Sequence, residues 1–319
     1  MAFRLRGFDQ VTAWFSGIMI SALVFTFIWY GSKYLASRDS EKDQARVEAA
    51  LNELDQKGTN ESENDSVESK TTGKSSPGQI SGHRSGSKFG SSEAFAKFGY
   101  SGNLAPWYWA SLNEKWHQCG LKTGQSPIDI SGAKLDDRLK TLKFHYTHGV
   151  TRITLGHQTI QGDVERGSYL EWDGERFDLN RVYFRTPSEH RVNGLPYEME
   201  VQLEHSAVTG KTIMLSVLMT PGKNSEIIDS ITRHLPSMDE EIQEIERLNW
   251  QNLLPAQKTY WSYTGSITTP PCTGNVLWVL MTNTVTTSKA SIDKFVLKQK
   301  SNVRPVFSIG KRALSRSNR

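Results

Sequence analysis

Apolar and polar residues alternate along two short stretches of this chain, Val182 to Arg185 and Met199 to His205, a period that predicts strands with successive side chains on opposite faces. The alternation puts Tyr183 and Arg185 on one face of the first strand, and Glu200, Gln202 and Glu204 on one face of the second. Two adjacent strands of this kind aim five polar or aromatic side chains at one cavity. Elsewhere between residues 98 and 312 the pattern is of short strand-like runs separated by Gly, Pro and Asn turns. Helical stretches are few, and Ser230 to Leu248 and Ser288 to Val296 are the predicted ones. No internal repeat is visible.

A different pattern rules the first hundred residues. Val11 to Ser32 carries no charged residue, and its apolar core matches the roughly 20 residues that a helix needs to cross a bilayer. Trp14 at one end and Trp29-Tyr30 at the other suit the two interfacial belts, and Arg4 and Arg6 place the short segment 1–10 on the positive-inside face. A cleaved signal peptide has an apolar region of about 7 to 15 residues ending in a small-residue cleavage site. The segment 11–32 is therefore expected to be a single uncleaved transmembrane helix. Segment 33–57 is charged but contains good helix material from Ala45 to Leu54, which extends the span or docks on a partner. Segment 58–97, rich in Ser, Gly, Asn and Lys, cannot bury a core and reads as a tether. Asn60 and Asn64 open glycosylation sequons if the route is secretory.

Charge narrows the partner classes. The chain has 38 basic and 34 acidic residues, for a net charge of +4, too balanced for nucleic-acid binding by bulk electrostatics. Residues 313–319 form a short basic tail, read as a solvated terminus. Of the eight histidines, His83, His117, His148 and His234 lack the close ligand spacing of a zinc site.

Tyr183-Phe184-Arg185-Thr186-Pro187-Ser188-Glu189-His190 and the strand ending in Glu204-His205 resemble the metal-binding region of the alpha carbonic anhydrases. Phe98-Gly99-Tyr100-Ser101-Gly102, Gln125-Ser126-Pro127-Ile128-Asp129-Ile130, Tyr260-Trp261-Ser262-Tyr263, Gly265-Ser266-Ile267-Thr268-Thr269-Pro270-Pro271-Cys272 and Arg304-Pro305 follow in that family's order. The resemblance covers about two-thirds of the chain, residues 98 to 312. It implies a mainly β (α+β) single domain around a large, twisted, mostly antiparallel sheet with a cavity at its centre.

The same resemblance puts the family's three zinc ligands at Tyr183, Arg185 and Gln202, so all three are replaced. Arginine offers only donors and stays protonated, and cannot ligate a cation. Several other matches persist. Glu189 and Thr268 stand where the family orients the zinc-bound hydroxide, and His157 stands at the proton-shuttling histidine. Glu200 matches the partner of the third ligand, Trp278 a wall of the substrate pocket, and Glu204 replaces an apolar residue of that pocket. His145 and His157 lie on segments whose counterparts bind no metal. Cys119 and Cys272 occupy positions that family members in oxidising compartments join by a disulfide.

These readings predict no zinc, no catalytic residues beyond remnants at His157, Glu189 and Thr268, and hence no enzyme activity. They also predict that Arg185 pairs with Glu204 or Glu200 to plug the cavity. The expected role is a membrane-anchored structural or docking subunit, meeting the bilayer and other membrane-complex subunits through its helix, linker and domain surface. A cell-surface binding or adhesion domain and a residual carbonate dehydratase with unconventional ligands are the alternatives. The domain is expected in an oxidising, non-cytosolic space, the mitochondrial intermembrane side slightly ahead of the cell surface or secretory pathway.

Overall fold

The structure, a computed structural model, describes residues 97–318. The apolar segment 11–32, the charged segment 33–57 and the tether up to residue 96 lie outside the described residues. No helix among the described residues is long and apolar enough to cross a membrane.

Nine longer strands carry the architecture: β1 (Gly149–Gly156), β2 (Thr159–Val164), β3 (Tyr169–Trp172), β4 (Glu175–Arg185), β5 (Met199–Ser206), β6 (Thr212–Pro221), β7 (Ile242–Leu248), β8 (Tyr260–Gly265) and β9 (Val276–Met281). They pair in the order β7-β1-β2-β4-β5-β6-β9-β8, with β3 against β4. Beyond β8 the sheet continues through the two-residue strands Ser315–Arg316 and Lys134–Leu135. Most pairings are antiparallel, as expected, but β6 runs parallel to β9, so the sheet is mixed. The terminus read as a solvated tail thus supplies a strand, and Ser317 N donates to the Tyr260 carbonyl at 2.8 Å.

The predicted alternation explains how the sheet divides. Val182, Phe184, Val201 and Leu203 are fully buried in the main core. Each such side chain contributes about 1.5–3 kcal/mol by leaving water. Two helices cover that core, α1 (Glu226–Arg233) and α2 (Lys289–Gln299). Ile227, Ile228 and Ile231 of α1 and Ile292 and Phe295 of α2 form the apolar stripes that helical spacing dictates. Ser288 caps α2 by accepting from Ser291 N, while Ser291 Oγ donates to Asp229 of α1 at 2.7 Å. The intervening residues Tyr183, Arg185, Glu200, Gln202 and Glu204 fall on the opposite face, where Tyr183 packs with Ile128, Met214, Tyr263, Trp278 and Leu280.

One predicted helix is corrected. Residues 230–248 are not a helix: α1 starts earlier and ends at Arg233, and Ile242–Leu248 is the edge strand β7. Its two buried residues, Ile245 and Leu248, recur at a three-residue spacing. A bulge accounts for it, because Ile245 pairs with Thr151 and Leu248 with Gly149, three steps on one strand against two on the other. The extra residue lets both Ile245 and Leu248 turn inward, with Arg247 at φ 56° taking up the kink.

Candidate functional site

Strands β4 and β5 bring together Tyr183, Arg185 and Gln202, the positions to which the resemblance assigns the family's ligands. Gln202 lies directly across from Tyr183, and Glu200 across from Arg185. All four are at most 6% exposed. A guanidinium so deep needs a counter-charge and a partner for each donor. Arg185 finds the charge in Glu189, with Nε 3.2 Å from Oε2. Its Nη1 donates to the Tyr100 hydroxyl at 2.6 Å, the Asn302 carbonyl at 3.2 Å and the Thr159 hydroxyl at 3.3 Å. Longer contacts reach Gln202 Oε1 at 3.4 Å and Thr268 Oγ1 at 3.5 Å. Burial works against the Arg185 charge, but the Glu189 carboxylate and the Tyr100 hydroxyl outweigh it and hold its pKa above the ordinary arginine value.

The expected plug therefore forms with a different carboxylate. Neither Glu204 nor Glu200 partners Arg185, because each is already held by another donor. Glu204 Oε2 accepts from the Tyr183 hydroxyl at 2.7 Å. Glu200 accepts from His190 Nδ1 at 2.8 Å, His190 N at 2.9 Å, Ser216 Oγ at 2.8 Å and Gln202 Nε2 at 3.1 Å. Burial alone would push the Glu200 carboxyl up, yet the facing His190 charge and these hydrogen bonds hold it at about 2. Strand alternation put Glu200 and Glu204 on the right face. Which one Arg185 would reach depended on Glu189, which lies in the loop after β4 and carries no periodicity.

Glu189 is the hub. Besides Arg185, its Oε2 accepts from Gln202 Nε2 at 2.9 Å and its Oε1 from Arg304 N at 3.0 Å. Arg304 then donates to Gln125 Oε1, the Ser126 carbonyl and the Cys119 carbonyl at 2.8 to 2.9 Å. Cys119 is bonded to Cys272, with Cα atoms 5.1 Å apart across a sequence separation of 153. The disulfide points to an oxidising, non-cytosolic environment. His190 Nε2 meets the Tyr263 hydroxyl at 2.7 Å, and that hydroxyl meets Ser126 Oγ at 2.8 Å.

A cavity of about 280 Å³ opens beside this cluster, lined on its polar wall by Thr159, Gln161, Arg181, Tyr183 and Glu204 and on its apolar wall by Phe98, Ile267, Pro270 and Pro271. His157 sits at its mouth in the turn between β1 and β2, exposed, stacked 4.4 Å from the Phe98 ring. Glu200 and Trp278 do not line it. Trp278 is fully buried behind it, its Nε1 donating to the Ser266 carbonyl at 2.9 Å. The Trp278 ring stacks with Tyr263 in the apolar cluster. Tyr100, Thr159, Asn302 and Arg304 were missed as site residues. Tyr100 and Arg304 stood in quoted motifs, but contacts across 85 to 117 residues leave no local signal.

A zinc ion does not fit the positions that the resemblance assigns to its ligands. Arg185 brings a positive charge and five donors, Gln202 and Tyr183 are already bonded internally, and a catalytic zinc needs three lone-pair ligands with a fourth position open. Among the described residues, no group of three or more His, Cys, Asp or Glu is placed to hold a metal.

The family model of the eukaryotic-type carbonic anhydrases matches residues 104–318. A carbonic anhydrase of Nostoc sp. is 32% identical over 222 residues, covering 67% of this chain and 84% of its own. One of Klebsiella pneumoniae is 34% identical over 200 residues, covering 61% of this chain and 80% of its own. The alpha carbonic anhydrase of Thermovibrio ammonificans, solved with the inhibitor sulfanilamide, superposes with a TM-score of 0.67 at 30% identity over 69% of this chain and 99% of that one. These findings correct the expectation that the chain is no enzyme. Relatives matched over most of their length bear an enzyme's name, which points to carbonate dehydratases rather than to a family of non-enzymes. The replaced positions describe one metal tripod and establish nothing more about activity. The chain belongs to the eukaryotic-type, or alpha, carbonic anhydrase family.

Proposed function

We propose that this chain uses a carbonic anhydrase domain as a structural or docking subunit of a membrane protein complex, held to the bilayer through segment 11–32, with no zinc at positions 183, 185 and 202. The observation that carries this reading is the Arg185–Glu189 pair. It fills the ligand position with a cluster that ties β4, β5, the residue 302–304 segment and Tyr100 into one body. We take the domain surface that this cluster stiffens as the one on which partners would assemble. The disulfide supports a domain in an oxidising space. We place that space on the outer side of the mitochondrial inner membrane, with the cell surface as the alternative.

The full chain, extracted in mild detergent, should migrate as part of a complex of defined size with stoichiometric partners, and deleting residues 11–32 should release it. A chain that is monomeric and soluble without detergent would overturn the docking role.

A second reading, carbonate dehydratase activity, is favoured by the names of the relatives. Metal analysis and a carbon dioxide hydration assay on the same preparation test it. Stoichiometric zinc with chelator-sensitive hydration would carry the second reading and overturn the assignment of no zinc.

A further inference from the structure

We propose that Leu104, Trp107, Tyr108 and Leu121 form a lipid-contact patch that seats the domain against the bilayer surface. Of the aromatic side chains among the described residues, only Trp107 and Tyr108 are exposed, at 75% and 49%, and Leu104 beside them is exposed as well. The neighbouring Trp109 explains why they face outward. Its ring is fully buried, packed edge to face on Phe98 and Tyr100, and its Nε1 donates to the Gly99 carbonyl at 3.0 Å and the Leu104 carbonyl at 2.9 Å. Trp109 thus takes the inward position at the start of the short helix Trp109–Leu112, and the two residues before it are left in solvent. Gly120 packs on the same helix, where a Cβ would lie 3.0 Å from the Ala110 Cβ, which sets the exposed Leu121 alongside.

Single exposed apolar residues are ordinary on a protein surface, but a Trp-Tyr pair flanked by leucines has the composition of a membrane interface, where apolar rings and their polar atoms are both satisfied. Two further observations select a lipid surface as the occupant. The segment that joins the domain to residues 11–32 enters it at Lys97, and Gly99 N, donating to the Leu104 carbonyl at 2.9 Å, holds that entry point against the patch. Charge fits too: between Lys97 and Ile128 the one acidic residue is Glu114, against the exposed Lys97, Lys115 and Lys122. Such a basic bias is drawn to anionic headgroups. A patch of this size binds a bilayer only marginally unless another segment keeps it there, so it orients the domain and does not anchor it. The inference therefore rests on the membrane attachment proposed for segment 11–32.

The test is tryptophan fluorescence of the full chain reconstituted in vesicles of phosphatidylcholine and phosphatidylglycerol whose acyl chains carry bromine near the headgroup end. Flotation with the vesicles after a salt wash reads the attachment itself. Bromine quenches nearby tryptophans, and Trp14 and Trp29 contribute equally in the native chain and in Trp107→Gln. That variant changes an exposed side chain and should keep the native melting temperature. It should lower the fraction of emission that is quenched, whereas removing a Trp107 that stands in water would raise it. A chain that floats while the fraction rises or stays unchanged in Trp107→Gln overturns the patch alone. A chain that does not float overturns the attachment and the patch together. Amide exchange of residues 102–112 that is fast in these vesicles but slow in native membranes would assign the patch to a protein partner and overturn the bilayer as its occupant.

Discussion

Single side chains decide how the former ligand face is stabilised. Arg185 is buried against Glu189, so removing only the cation strands a carboxylate in a low-dielectric site. Arg185→Ala should cost about 3–5 kcal/mol, against about 1 kcal/mol or less for a solvated pair. An unchanged urea midpoint would show that Glu189 is relieved by water. A second residue-scale effect concerns pH. His205 accepts from the Tyr146 hydroxyl at Nε2 and faces the Leu203 carbonyl through Nδ1, which fixes the neutral ring with its proton on Nδ1. Burial depresses its pKa to about 3. Because the folded value lies below the unfolded value of about 6.5, the contribution is present above pH 6.5 and is lost as pH falls toward 3, amounting to about 2 kcal/mol by pH 5. Glu200, also depressed, adds a loss only below about pH 4. Urea midpoints at pH 7.5 and 5 should show the first step in the native chain, and His205→Gln should lack it.

At the scale of elements, close approach of segments constrains the sequence as much as periodicity does. Gly265 ends β8 where the Gln125-Ser126 segment crosses it. A Cβ there would lie 2.1 Å from Ser126 Oγ and 2.8 Å from the Tyr263 ring. Both neighbours belong to the His190–Tyr263–Ser126 chain of hydrogen bonds, so neither yields without breaking a buried contact. Gly265→Ala should therefore destabilise by about 1–3 kcal/mol through overpacking, read as a lower melting temperature. A melting temperature equal to the native one would mean that the crossing segment moves freely. β7 teaches the complementary lesson. Its inward residues recur at a helical interval because a bulge, invisible in the sequence, adds one residue to the strand.

Over the whole molecule, the Cys119–Cys272 bond closes a long loop and ties the segment before β1 to the loop between β8 and β9. Replacing both cysteines by serine should lower stability by about 2–5 kcal/mol. Non-reducing mass spectrometry of the native chain should find the pair joined, and free thiols would refute the bond. The sequence by itself determined the family fold and the strand faces of β4 and β5, because strand alternation and ordered motifs are local properties. It also located the two cysteines. Tertiary structure alone decided that Arg185 chooses Glu189, that Glu204 goes to Tyr183, that Trp278 turns into the apolar cluster and that residues 315–316 complete the sheet. Each of those outcomes is a competition among partners far apart in sequence, settled by which donor reaches which acceptor once the strands are in register, and no local pattern encodes the distances that decide it.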